Sequence, residues 1–100
     1  MPGIEIHVAA EVELLESAAY YERKRKGLGG EFLDEFDAAL DKIEAFPEAW
    51  PVYAGEYRRF LLRRFPYGLI YRLESDKIFL IAVAHLHRKP DYWRERDASK

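Results

Sequence analysis

Apolar and polar positions alternate at the start of the chain, recur every three or four residues through its first half, and alternate again after residue 56. "IEIHVA" (4–9) has the two-residue rhythm of a short, half-buried strand. "EVELLESAAYYERKRK" (11–26) has the rhythm of a helix. Val12, Leu15, Ala19 and Glu22 fall on one side, and Leu14, Ala18 and Tyr21 broaden the apolar stripe. Glu11, Glu13 and Glu16 come early and Arg23 to Lys26 late, as the helix dipole favours. "GLGG" (27–30) stops this helix. It follows a helix rather than a strand and lacks the lysine of a phosphate loop, so it reads as a turn. "EFLDEFDAALDKIEAF" (31–46) is a second helix, with Phe32, Phe36, Ala39, Ile43 and Phe46 on one face, Leu33 and Leu40 beside them, and Pro47 after it. So short a connection predicts an antiparallel helical hairpin. Its expected contacts with the rest of the core are Leu15, Phe36, Leu40 and Ile43.

"PEAWPVYAGE" (47–56) reads as a proline-rich loop. Three strand-like runs follow, "YRRFLLRRF" (57–65), "YGLIYRLE" (67–74) and "KIFLIAVAHLH" (77–87). Pro66 and Gly68 mark one tight turn and Ser75 and Asp76 the other, so the runs form an antiparallel meander. The last run is apolar on both faces. Strict alternation puts Ile78, Leu80, Ala82, Ala84 and Leu86 on one side and Phe79, Ile81 and Val83 on the other. Such a strand belongs in a sheet interior. The hairpin covers one face, and a short tail helix from Asp91 onward covers a little of the other. The expected fold is a single α+β domain over residues 1–100. It is a two-layer sandwich of N-terminal strand, antiparallel helical hairpin, three-strand antiparallel meander and short C-terminal tail helix.

Composition narrows the class. There is no cysteine, so no disulfide framework or thiolate metal site is available, which fits a reducing, cytoplasmic setting. The start "MPGIEIHV" lacks the pattern of a secretory signal, and no apolar run approaches the about 20 residues of a membrane span. The net charge of −2 hides an asymmetry: residues 1–50 carry 5 basic and 12 acidic side chains, and residues 51–100 carry 11 and 6. A basic C-terminal half suits an anionic partner, though an acidic helical layer neutralising a basic sheet accounts for it as well.

Arg58, Arg59, Arg63 and Arg64 flank "FLL" on the first meander run. Alternation places Arg58 and Arg64 with Phe60 and Leu62, and Arg59 and Arg63 with Leu61. Such a strand could bind anions, or it could be an edge protected by charge. His85 and His87 would share a strand face, but nothing nearby completes a metal site, so no metal is assigned. With Arg88 and Tyr92 they are the candidates for acid–base chemistry. Tyr92 and Trp93 after Pro90 read as packing of the tail, or as a partner's anchor.

The order of elements, with "RRFPYGLIYRLESDKIFLIAVAHLHRKPDYW", resembles the RelE/ParE superfamily of bacterial toxins from type II toxin–antitoxin modules. "FPYGLIY" and "VAHLHRKPDYW" are most similar to its ParE-like branch, and the resemblance covers nearly the whole chain. It implies a first strand returning beside the last, no cofactor, and a toxin that associates with a cognate antitoxin. RelE-like members cleave messenger RNA on the ribosome, whereas ParE-like members inhibit DNA gyrase. Two of three RelE-like positions lack their arginine: Gly68 and Leu86 stand there, next to His87 and Arg88, while Tyr92 matches the tyrosine. The resemblance therefore implies a binding face, formed from Arg58, Arg59, Arg63, Arg64, Arg72, Tyr92, Trp93 and Arg94. Alternative readings are an mRNA endonuclease with rearranged groups, which would contact nucleic acid directly, and a degenerate interaction or repressor module.

Overall fold

A computed structural model describes residues 3–98, with side chains through residue 96; Met1, Pro2, Ser99 and Lys100, counted above in the single domain, lie outside the described residues. The chain runs β1 (Gly3–Ile6), α1 (Val8–Lys24), α2 (Leu28–Ala45), β2 (Val52–Ala54), β3 (Tyr57–Leu61), β4 (Tyr67–Glu74), β5 (Lys77–His85) and α3 (Arg94–Ala98). One five-stranded sheet has the order β1-β5-β4-β3-β2. β1 lies parallel to β5, and the other pairings are antiparallel. The α+β fold expected from the sequence is the fold found, including the first strand beside the last. No described helix is long and apolar enough to cross a membrane.

Local chemistry sets the element ends. His7 caps α1 by accepting the Ala9 N–H at Nδ1, 3.0 Å away. Gly27 takes φ 90° before α2, a left-handed conformation that suits glycine. Glu22 then reaches over from α1, and its two oxygens accept the N–H groups of Gly27 and Gly29, two donors at the start of α2. Between β4 and β5, Ser75 at φ 55° makes the two-residue turn that pairs Glu74 with Lys77.

The helix–sheet core gathers Ala10, Ala18, Phe32, Phe36, Ala39 and Ile43 from the hairpin against Phe60, Leu69, Tyr71, Ile78, Leu80 and Val83 from the sheet. This corrects the face assigned to α1. Val12 and Leu15 are 48 % and 57 % exposed, whereas Ala10 and Ala18 are buried and Leu14 and Tyr21 pack on the core. The reason is the closeness of the two helices. A Cβ added at Gly29 would stand 2.5 Å from the Ala18 carbonyl oxygen, so the crossing there has room for small residues only. Leu40 packs against the core, half-buried, but Phe46 is exposed because α2 has already ended at Ala45.

Five further expectations are revised. β3 ends at Leu61, so Arg63 and Arg64 lie beyond it and not on its faces. The proline-rich loop contains β2, which takes the sheet edge outside β3. Gly68 is a buried residue of β4, and the turn occupies residues 62–66. β5 ends at His85, so Leu86 and His87 leave the strand. Within β5 the alternation itself breaks. Ile70 pairs with Ala82 but Tyr71 pairs with Leu80, leaving Ile81 as an extra residue. This bulge moves Ala82 and Ala84 to the side of Phe79 and Ile81, and Val83 to the side of Ile78 and Leu80.

Candidate functional site

The face of the sheet away from the helices is closed across its middle by the C-terminal tail. Trp93 is 2 % exposed, sits among Tyr57, Ile70, Phe79, Ile81, Ala82 and Ala84, and meets Tyr57 edge to face at 4.6 Å. The tail thus covers more of this face than its length implies.

A carboxylate from α1 holds it there. Glu13 accepts both prongs of Arg96 at 2.9 and 2.7 Å, the Tyr92 hydroxyl at 2.6 Å and the Val83 N–H at 3.0 Å. Arg96 also donates to the Ile81 carbonyl. β1 reaches only Leu80, so beyond it these groups satisfy the edge of β5 that no strand covers. Burial pushes the Glu13 pKa up, but the hydrogen bonds from Arg96, Tyr92 and Val83 outweigh it and hold the carboxyl below its ordinary value. Burial first, then the bond to Glu13, push the Tyr92 phenol well above its ordinary range. The sequence reading had given Glu13 only to the helix dipole.

The proposed arginines divide. Arg58 points to the helix side and donates to the carbonyls of Glu48 and Trp50. Arg64 pairs with Glu31 at 2.6 Å, and the backbone N–H groups of Arg63 and Arg64 both donate to Glu35, so this pair serves the junction with α2. Arg72 is buried, pairs with Glu74 and lies over Phe79. Arg94 pairs with Asp91 and lies over Trp93. Only Arg59 of the four on "RRFLLRR" turns to the far face, with its guanidinium over the Tyr53 ring at 4.1 Å.

Arg59 is also a wall of a cleft of about 60 Å³, lined further by Tyr53, Gly68, His85, Arg88, Lys89 and Tyr92, among others. Of the residues singled out from the sequence, Arg59, His85, Arg88, Tyr92 and Trp93 line this cleft and His87 does not, while Tyr53 and Lys89 are new to it. Arg88 lies over the Tyr92 ring at 3.9 Å. The His85 and His87 rings are 5.0 Å apart, and His85 Nδ1 accepts the His87 N–H at 3.0 Å. That bond places the proton of neutral His85 on Nε2, so the ring offers a donor and no free basic nitrogen. Burial, then the neighbouring His87, lowers the His85 pKa and favours this neutral form.

Beside the cleft lies a second groove of about 260 Å³, lined by Trp50, Pro51, Val52, Tyr53, Arg59 and Leu61. Val52 and Leu61 are both exposed there. It is the part of the far face that the tail does not reach, and it borders the sheet edge at β2.

Residues 4–90 match the family model described as ParE toxin of type II toxin-antitoxin system, parDE. Among solved structures, the chain is similar to one titled "Chromosomal ParDE TA system from P. aeruginosa". The TM-score is 0.66 at 13 % identity, over 87 % of this chain and 98 % of that one, which supports the fold. No curated protein matches the chain.

Proposed function

The chain belongs to the ParE toxin family of type II toxin–antitoxin systems, and from that premise we propose that it acts in the cytoplasm by binding and inhibiting a macromolecular target such as DNA gyrase, and is neutralised by a cognate antitoxin in a hetero-oligomer. The observation that carries this reading is the state of Tyr92. Its hydroxyl is spent on Glu13 and its pKa is raised, first by burial and then by that bond. Attack by a 2′-hydroxyl on phosphate requires a general base. Tyr92 is not available as one, and His85 has committed its acceptor nitrogen. Gly68 and Leu86 bring no charge of their own. With Tyr92 and His85 committed and His87 outside the cleft lining, the site favours a surface that binds over one that cuts RNA, whether on the ribosome or elsewhere.

For the antitoxin we propose the groove at Val52, Tyr53 and Leu61 together with the open edge of β2. An extended segment could pair with that edge, place apolar side chains in the groove, and bring a carboxylate to Arg59. The side chains of Arg58 and Arg64 are occupied within the chain, and of the four arginines on "RRFLLRR" Arg59 is the one that lines this groove.

The test is direct. The purified chain should inhibit topoisomerase supercoiling, and a stoichiometric antitoxin should reverse the inhibition. Ribosome-dependent, codon-specific RNA cleavage would establish the endonuclease reading instead. Growth unaffected by induction would leave the chain as an interaction or repressor module.

A further inference from the structure

We propose that the cleft at the end of β5 is a phosphate-binding site, built from Arg59, Arg88 and Lys89 with the His85 imidazole as a further N–H donor. The first observation is charge. Arg25, Arg64, Arg72, Arg94, Arg96 and Lys77 each face a carboxylate. Arg59, Arg88 and Lys89 make no ion pair among the described residues; other cations also lack one, but these three line one cleft, whose own lining has no acidic side chain, although Arg88 also borders a groove with Glu13 and Glu16. Cations gathered without counter-charge repel one another, and an anion between them relieves that repulsion.

The second observation is how the two guanidinium groups are held. Each lies on a tyrosine ring, Arg59 on Tyr53 at 4.1 Å and Arg88 on Tyr92 at 3.9 Å. Stacking fixes the plane of a guanidinium and leaves its N–H edge free to donate. Two oriented forks, an ammonium and an imidazole N–H suit a group with several acceptor oxygens.

The third observation is Gly68. A Cβ there would stand 2.9 Å from Cδ and 3.1 Å from Cγ of Arg59. The arm of Arg59 therefore crosses β4 through the space that a side chain at position 68 would take. Any larger residue would displace the arm that forms one wall of the cleft.

Phosphate fits better than carboxylate on charge. One carboxylate would leave two of three cations unneutralised, whereas a phosphate monoester carries up to two charges, and successive diesters of a nucleic-acid strand supply more. At about 60 Å³ the cleft has room for a small anion. The inference does not depend on which target the toxin inhibits.

The experiment is a titration of the ¹⁵N-labelled full chain with inorganic phosphate, then with a single-stranded tetranucleotide carrying either a 5′-phosphate or a 5′-hydroxyl. The expected result is saturable movement of the Gly68 amide, the amides of residues 85–89 and the Trp93 indole. Arg59→Gln and Arg88→Gln should each weaken binding at least tenfold, with the remaining resonances in place. Arg63→Gln removes the same charge outside the cleft and should change affinity less than twofold. Gly68→Ala should weaken binding without removing any charge. Tighter binding of the 5′-phosphorylated strand identifies a strand end, equal binding of both strands identifies the backbone, and binding of inorganic phosphate alone identifies the free anion; each supports the site. The absence of saturable shifts, an equal loss on Arg63→Gln, or a preference for a glutamate-rich peptide over all three phosphate probes would overturn it.

Discussion

Glu13 and Arg96 are 83 positions apart in sequence and form a two-pronged ion pair, with N–O distances of 2.9 and 2.7 Å and both side chains largely shielded from water. The pair joins the first helix to the last element described, and Tyr92 and the Val83 N–H share the same carboxylate.

Glu13→Gln should therefore destabilise the chain by about 2–4 kcal/mol, because it leaves the partly buried Arg96 without its counter-charge. The pH dependence carries a second signature. The folded-state pKa of Glu13 is depressed, so its contribution is complete above the ordinary carboxyl value of about 4.3 and is lost as pH falls through the folded value. Denaturant unfolding of both proteins from pH 7 down to pH 3 checks this. The gap between them should narrow below about pH 4, and a constant gap would show that Glu13 acts through packing alone.

Trp93→Ala should cost about 3–5 kcal/mol, since the ring is buried against Tyr57, Ile70 and Phe79. If the tail docks as one unit, combining it with Glu13→Gln should give less than the sum of the two losses. Strict additivity in denaturant melts would argue that ion pair and ring act independently.

Two adjacent glycines should respond in opposite ways. Gly29→Ala forces a methyl against the Ala18 carbonyl and should destabilise by about 1–3 kcal/mol. Gly30 is helical with open space at its Cβ position, so Gly30→Ala should stabilise by about 0.5–1 kcal/mol. Thermal melts of both variants distinguish a packing constraint from a general preference for a flexible turn.

Ile43→Ala should cost about 2–5 kcal/mol, because Ile43 is buried in the helix–sheet core. Leu15→Ala, at a residue facing water, should change stability by less than about 0.5 kcal/mol. A large loss at Leu15 in denaturant unfolding would show that this side of α1 is covered in solution.

Where one physical rule acted alone, the sequence was readable. β4 and the Ser75–Asp76 turn appear at the residues expected, because alternation and turn chemistry agree there. α2 shows its apolar face plainly for the same reason. α1 misled because hydrophobicity favours Val12 and Leu15, while the close crossing at Gly29 favours Ala18. β5 misled at its bulge, since an extra residue changes no composition and yet exchanges the faces of everything after it. The cleft was half legible. His85, Arg88 and Tyr92 are neighbours in sequence, but Arg59 and Tyr53 arrive from β3 and β2, and their meeting depends on strand order. Glu13 gave no local signal, because its partners lie 70 to 83 positions away.

The order β1-β5-β4-β3-β2 places the earliest of the described strands against the latest, with β5 in the sheet interior. During synthesis the helical hairpin emerges early, yet the strands on which it buries Phe32, Phe36 and Ile43 do not all exist until residue 85 has left the ribosome. The nascent chain must therefore carry an uncovered apolar helix face until β5 has been made. Closure is deferred to the moment when β1 meets β5, so a truncated chain ending before β5 has no partner for β1 and no route to the native sheet.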